Sequence, residues 1–321
     1  MIIYILRRIA IIIPMIILLS IVVFCLAKMM PGDALGGEID PTITDAAYIE
    51  EMREKLGYND PWHIQYGRWV SDVVQGDFGR SVIYKRPAID LIVSRIPNTL
   101  FLAISAMIIT WTFALVMGMT SGRRPYTIVD NTISTFNYLG LAIPSYILAL
   151  FAIYFLSFNL GWFPSTGSVS VGLEPGSWAF VQSRLYHVIL PALCLGAFSA
   201  ATYTQFLRND IIENGRKDFV RTARAKGTSE ANIYRKHIFR NSLIPLVTLF
   251  GFEIGSLIGG AIITESIFTY PGIGQLFLES ITRRDYTVVM ALTLILSLFT
   301  LVGSLIADIL YGLIDPRIRL E

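Results

Sequence analysis

Long uncharged apolar runs alternate with short charged segments along the 321 residues. A bilayer-crossing helix needs about 20 mostly apolar residues. Residues 9–27 carry no charge and lie between Arg7-Arg8 and Lys28. No small-x-small cleavage site follows, so this run reads as an uncleaved span rather than a signal peptide. Further apolar runs over about 98–120, 131–156, 186–206, 243–263 and 286–307 predict an all-α, polytopic membrane protein of about six spans. Pro144, inside the third run, frees a backbone carbonyl and is expected to kink that helix.

The polar segments set the topology. Residues 31–97 hold eleven acids and seven bases and suit the outer face. Two helix signals stand out there. Thr44-Asp45 precedes Ile49, Met52 and Leu56 and ends at Gly57. Asp60-Pro61 reads as an N-cap and first-turn proline, after which Trp62, Tyr66, Trp69 and Val73 share one face closed by Gly76. That stripe reads as packing or an interfacial surface, with contact to a delivery protein as the rival. Among the short loops, fifteen Lys/Arg fall on the assigned inner side and four on the outer, which puts both termini in the cytosol. The expected divisions are 1–30 (N-terminus and first span), 31–97 (external loop) and 98–321 (a transmembrane domain with a cytosolic loop over 207–242).

That loop is the most strongly charged stretch. From Arg208 to Arg240 it holds nine Lys/Arg and four Asp/Glu. Phe219, Thr222, Ala223 and Lys226 recur at helical spacing, predicting a short amphipathic helix from Asp218. Gly227 stands where a left-handed C-terminal cap is wanted. Thr228 or Ser229 can then cap a second helix whose first turn holds Glu230. On spacing alone this is either a solvated inside-positive anchor or a rigid docking knob. In the fifth run, Gly251, Gly255 and Gly259 are four apart and predict close approach of another helix. Glu253 beside them is an ionisable group at membrane depth, either hydrogen-bonded to neighbours or facing a translocation path.

Composition narrows the function classes. Hydrophobic residues make up 54% and charged residues 16%, against about 25% charged in soluble domains. A net charge of +2 gives no reason to expect nucleic acid. Cys25 and Cys194 lie in apolar runs and read as buried small residues without a disulfide. The sequence has no Gly-x-x-x-x-Gly-Lys-Ser/Thr phosphate loop, no His-Glu-x-x-His and no Gly-x-Ser-x-Gly turn. His63, His187 and His237 are scattered. No catalytic residue, metal site or cofactor is therefore expected. The rival classes are an ion-coupled secondary transporter or channel and a membrane enzyme.

Ala223-x-x-x-Gly227, inside Phe-Val-Arg-Thr-Ala-Arg-Ala-Lys-Gly and followed by Arg240-Asn-Ser-Leu-Ile-Pro245, resembles the cytoplasmic signature loop of ABC-importer permeases, most closely the oligopeptide/dipeptide (peptide/nickel) branch. The general pattern Gly-x9-Ile-x-Leu-Pro falls here on His237-Ile-Phe-Arg240 with its proline later, at Pro245, a departure the peptide branch shares. Pro31-Gly-Asp33, Leu56-Gly-Tyr-Asn-Asp-Pro61, Gln65-Tyr66 and Gly76-Asp-Phe-Gly-Arg-Ser81 are similar to that branch's first external loop. Glu265-Ser-Ile-Phe-Thr-Tyr-Pro-Gly-Ile-Gly is similar to the family's Glu-x-x-Phe-x-x-Pro-Gly-x-Gly element. The short N-terminus and long first loop resemble the first of the two permease subunits. The resemblance implies a bacterial plasma-membrane subunit that forms half of a pore, with a second permease, two ATPase subunits and an external binding protein as partners, lipid around it and peptide as substrate. Nickel or another small solute is the alternative cargo within the branch. It further implies that Asp218, Phe219, Arg221, Thr222, Ala223, Arg224, Ala225, Lys226, Gly227 and Glu230 dock the ATPase.

Overall fold

The structure of the chain is a computed structural model that describes residues 2–29, 50–51, 54, 57 and 59–314. The expected helix over 44–57, the Pro31-Gly-Asp33 motif and the terminal Asp315, Arg317 and Arg319 fall wholly or largely outside the described residues. The described helices are α1 (Ile2–Met29), α2 (Trp62–Val74), α3 (Ala88–Arg123), α4 (Ile128–Ala142), α5 (Ser145–Ala152), α6 (Trp178–Asn214), α7 (Asp218–Ala225), α8 (Glu230–Asn232), α9 (Arg240–Ile267), α10 (Ile273–Thr282) and α11 (Tyr286–Ile314). Among the described residues the only β pairing is an isolated bridge between Arg80 and Pro87.

Four described helices are long and apolar enough to cross a bilayer, and the bent α4–α5 pair raises this to five. The expected span over 243–263 lies within α9. Its 28 residues extend about 42 Å at 1.5 Å each, enough for the roughly 30 Å hydrocarbon layer. Outward-facing Leu18, Phe136 and Phe158 are exposed, a surface that suits hydrocarbon rather than water.

Two expected boundaries change for physical reasons. Pro144 breaks the third span instead of kinking it, and the helices on either side meet at 103°. Its ring excludes the α conformation at the residue before it, and Ile143 is extended (φ −88, ψ 124). Beyond the bend, α5 runs into a π-helical stretch over Ile153–Asn159. α3 begins well before residue 98, with Pro97 inside it. Its polar first turns are held by packing: Ala88 and Ile92 are fully buried against Ile273, Leu276 and Leu292 of α10 and α11.

Among the described residues, three apolar clusters hold the helices together. The central one joins Leu102 and Ala106 of α3 to Leu190 and Cys194 of α6 and to Phe268 and Tyr270 beyond α9. The second ties the start of α3 to α10 and α11. The third, at the far end, gathers Leu207, Ile211, Val220, Ala223, Ile233, Ile238 and Leu246 around α7. Of the expected aromatic stripe on α2, Tyr66 and Trp69 pack on Phe24 of α1, with ring centroids 5.5 and 5.9 Å away. Trp62 stays exposed. Pro61, not Asp60, takes the N-cap position, without a side-chain bond. Asp60 is instead paired with Arg68 at 2.7 Å.

Candidate functional site

The α7 turn is built as its sequence dictates, with one difference of face. Asp218 lies in the first turn and Arg224 in the last, each favourable to the helix dipole. The buried stripe is Val220 and Ala223 with Phe219 partly covered, whereas Thr222 and Lys226 are exposed. The stripe expected from Phe219, Thr222, Ala223 and Lys226 is therefore rotated, because the aliphatic Val220, not Thr222 or Lys226, joins Ala223 in the cluster with Ile211 and Ile233. Asp218, Arg221, Thr222, Arg224, Ala225 and Lys226 form the exposed side, with Asp218 and Arg221 paired at 3.5 Å.

Gly227 has φ +75. Its N–H donates to the Arg224 carbonyl at 3.0 Å and the Thr228 N–H to the Ala223 carbonyl at 3.2 Å. This pair of bonds is the Schellman cap, which satisfies the last carbonyls of α7. Arg224 then reaches across the turn to Glu230 with two bonds, Nε–Oε1 at 2.6 Å and Nη2–Oε2 at 3.2 Å. Hydrogen bonding to Arg224 holds the Glu230 carboxyl below its ordinary range. Ser229 sits at the N-cap of α8 without a side-chain cap bond; its carbonyl accepts from Asn232 and Ile233, both at 2.9 Å. The second helix is not a separate piece, for a π-helical stretch over Ile233–Phe239 carries it into α9. Tyr234 on that stretch donates to the Met119 carbonyl at 3.2 Å and lies 5.3 Å from the Arg123 guanidinium. The turn after α3, with its Arg123-Arg124 pair, is thus at the α7 end.

The other predicted residues lie elsewhere, on α9. Glu253 is buried and accepts from Trp111 Nε1 at 2.6 Å. The Trp111 indole stacks on Tyr203 at 5.0 Å and meets the Phe250 edge at 5.3 Å. Trp111 therefore joins α3 to α6 through Tyr203 and to α9 through Glu253 and Phe250. Gly251 lies against α11 of its own chain, where an added Cβ would come within 2.5 Å of Ala307 Cα. The surroundings of Gly255 and Gly259 lie outside the described residues. Among the described residues no group of metal-ligating side chains assembles, and Cys25 and Cys194 are free.

Among the described residues, three buried carboxylates have roles that the sequence did not assign: Asp130, Asp285, and Glu265, which stood there only as the first residue of the Glu-x-x-Phe-x-x-Pro-Gly-x-Gly element. Glu265 receives Thr99 Oγ1 at 2.7 Å and the N–H groups of Gly274 and Gln275 at 2.7 and 3.1 Å, so it caps the start of α10. This accounts for the Glu-x-x-Phe-x-x-Pro-Gly-x-Gly spacing: Phe268 is buried in the central cluster, Pro271-Gly272 makes the turn, and Gly274 fits beside Ile262. Asp285 accepts from Ser81 Oγ at 2.5 Å and pins the loop before α3 to the start of α11. Asp130, fully buried, binds Arg208 through Nε at 2.6 Å and Nη2 at 2.7 Å. Thr127-x-x-Asp130 is a capping-box spacing that marks the start of α4 in the sequence, but nothing local points to Arg208.

The comparisons with known proteins agree over nearly all of the chain. The family model described as "Binding-protein-dependent transport system inner membrane component" matches residues 114–320, and that family's N-terminal model matches residues 1–103. The oligopeptide transport system permease protein AppB of Bacillus subtilis is 42% identical over 317 residues, covering 98% of this chain and 99% of the relative. The glutathione transport system permease protein GsiC of Escherichia coli K12 is 36% identical over 316 residues, with 98% of each covered. A chain of the inward-facing MetNI methionine ABC transporter matches with a TM-score of 0.50 at 20% identity, covering 69% of this chain and 97% of that one; the likeness is one of fold.

Proposed function

Since the chain belongs to the family of binding-protein-dependent transport system inner membrane components, its role is that of the transport subunit without catalysis, and we propose that it carries peptides. Two full-length relatives named for oligopeptide and glutathione transport support that substrate class. We place both termini in the cytosol, with α7 facing the ATP-hydrolysing partner. A second permease completes the pore, two ATPase subunits grip the two α7 knobs, and an external binding protein delivers peptide to the loops around α10. ATP-driven closure of the ATPases swings the knobs and reorients the pore.

The observation that carries this reading is α7 itself. An eight-residue helix exposes a charged side that carries Asp218, Arg221 and Arg224, while its apolar side clusters with residues at the ends of α3, α6 and α9. A lever must be stiff and must be attached to what it moves. The Schellman cap and the Arg224–Glu230 clamp supply the stiffness, and the buried Val220 and Ala223 the attachment.

The test is purification of the tagged chain from its native membrane with Lys226→Glu beside it, a reversal that leaves the Arg224–Glu230 pair intact. Expected are co-purifying ATPase activity, its loss with the reversal, and uptake of a pentapeptide or glutathione by the reconstituted complex with its binding protein. An eluate that retains a folded chain but hydrolyses no ATP overturns the docking reading. Uptake of neither peptide overturns the substrate class.

A further inference from the structure

The Asp130 carboxylate is the most heavily bonded acid at the α7 end of the molecule. It is fully buried and accepts the two parallel bonds from Arg208, the Tyr126 N–H at 2.7 Å, the Ser121 hydroxyl and, at 3.4 Å, the Ser134 hydroxyl. These donors come from four places: the last turn of α3, the α3–α4 turn, α4 itself and α6. Bidentate charge-assisted pairs are the strong, geometrically specific class of hydrogen bond. Removing one partner of a buried pair leaves an uncompensated charge.

Arg208 stands between Leu207 and Ile211, two buried residues of α6 that share one cluster with Val220 and Ala223 of α7. On the other side of the bond, α4 leads to the 103° bend and α5. We infer that Asp130 is a positioning residue for transport: held on Arg208, it fastens the start of α4 to the last turns of α6, so that displacement of α7 is carried into the bent α4–α5 pair instead of being absorbed in the α3–α4 turn. This rests on the importer reading above. No other described ion pair joins α4 to α6.

Coupling is demonstrated only by perturbing the link and reading both ends. The experiment uses the assembled importer, with its second permease, ATPases and binding protein, in proteoliposomes. Asp130→Asn keeps the shape and removes the charge; Arg208→Lys keeps the charge and one of the two bonds. Two quantities are read: peptide taken up per ATP hydrolysed, and the distance between spin labels at Leu139 on α4 and Asn232 on α8, without nucleotide and after vanadate trapping. The probe peptide is whichever of a pentapeptide or glutathione the parental complex transports.

In the parental complex the labels keep their separation between the two states. In Asp130→Asn the separation changes between states and uptake per ATP falls by about tenfold, within the range typical of a coupling free energy between sites; Arg208→Lys falls between. An unchanged ratio and unchanged distances in Asp130→Asn overturn the inference. So does a proportional loss of uptake and hydrolysis with parental distances, which marks a role in stability alone. If Asp130→Asn does not assemble, Arg208→Lys decides by the same two readouts, and parental behaviour there overturns the inference. A parental complex that transports neither peptide counts against the proposed function instead.

Discussion

Replacement of Gly227 separates backbone strain from side-chain crowding. A Cβ built at this position meets nothing within 4 Å, so the chain itself has room for a larger residue. What resists substitution is φ +75. An L-residue in the left-handed region costs roughly 1–2 kcal/mol, with a β-branched side chain at the upper end and asparagine at the lower. That cost falls on the bonds that close α7, from Gly227 N–H to Arg224 and from Thr228 N–H to Ala223. It shifts the balance of closed and open turn by about 5–30-fold. Hydrogen–deuterium exchange over 223–232 in the reconstituted importer reads this balance directly, because local exchange follows local opening. Gly227→Val is expected to exchange about 5–30-fold faster and to lose uptake per ATP. Gly227→Ala should fall between, and Gly227→Asn should stay close to the parental chain. Equal exchange in the valine and parental chains would refute the strain argument. An asparagine variant as damaged as the valine one would refute it differently, by showing that a partner occupies the space beside Gly227.

Four further outcomes are expected. Gly251→Ala places a methyl against the Ala307 backbone, so α9 and α11 must separate; a cost of about 1–3 kcal/mol outweighs alanine's better helix propensity and lowers the thermal midpoint of the detergent-solubilised chain, and an unchanged midpoint would sink the close-packing account. Glu265→Gln puts an amide N–H₂ or a weaker acceptor before the N–H groups of Gly274 and Gln275, costing about 1–3 kcal/mol by the same thermal measurement. Ser81→Ala removes the donor to Asp285, and limited proteolysis between 80 and 86 should quicken; parental resistance would show that Asp285 does not depend on that bond. Glu230 is held by Arg224 below its ordinary value of 4.5, so the folded turn binds fewer protons than the unfolded one. Its support is complete above that value and is lost as pH falls through the lower folded one. Exchange over 223–232, corrected for intrinsic rates, should therefore accelerate with acid below pH 4.5 in the parental chain and not in Glu230→Gln; coincident profiles would remove the pair from the account.

Most of the α7 turn was legible in the chain order because its determinants are local. A helix start at Asp218, a left-handed residue at Gly227 and an acid at Glu230 are all set within thirteen residues, and steric limits on φ act on one residue at a time. The side that α7 buries was not legible. Phe219, Val220, Thr222, Ala223 and Lys226 fit a helical stripe in more than one rotation, and only packing in the cluster with Ile211 and Ile233 chooses Val220. Pro144 announced a disturbance, but its size, 103°, is set by what α4 and α5 pack against once the i−4 bond is gone.

The hydropathy pattern determined that this chain is an all-helical membrane protein, because in hydrocarbon each spanning segment must satisfy its own backbone, and that demand shows in every apolar run separately. The tertiary structure alone decided the partners of its buried polar groups. Asp130 finds Arg208 78 residues away, Thr99 finds Glu265 166 away, and Ser81 finds Asp285 204 away. A carboxylate in sequence declares only that it needs donors. Which donors arrive depends on the register and rotation of whole helices, and those follow from how Leu207, Ile92 and Phe268 fill the clusters between them.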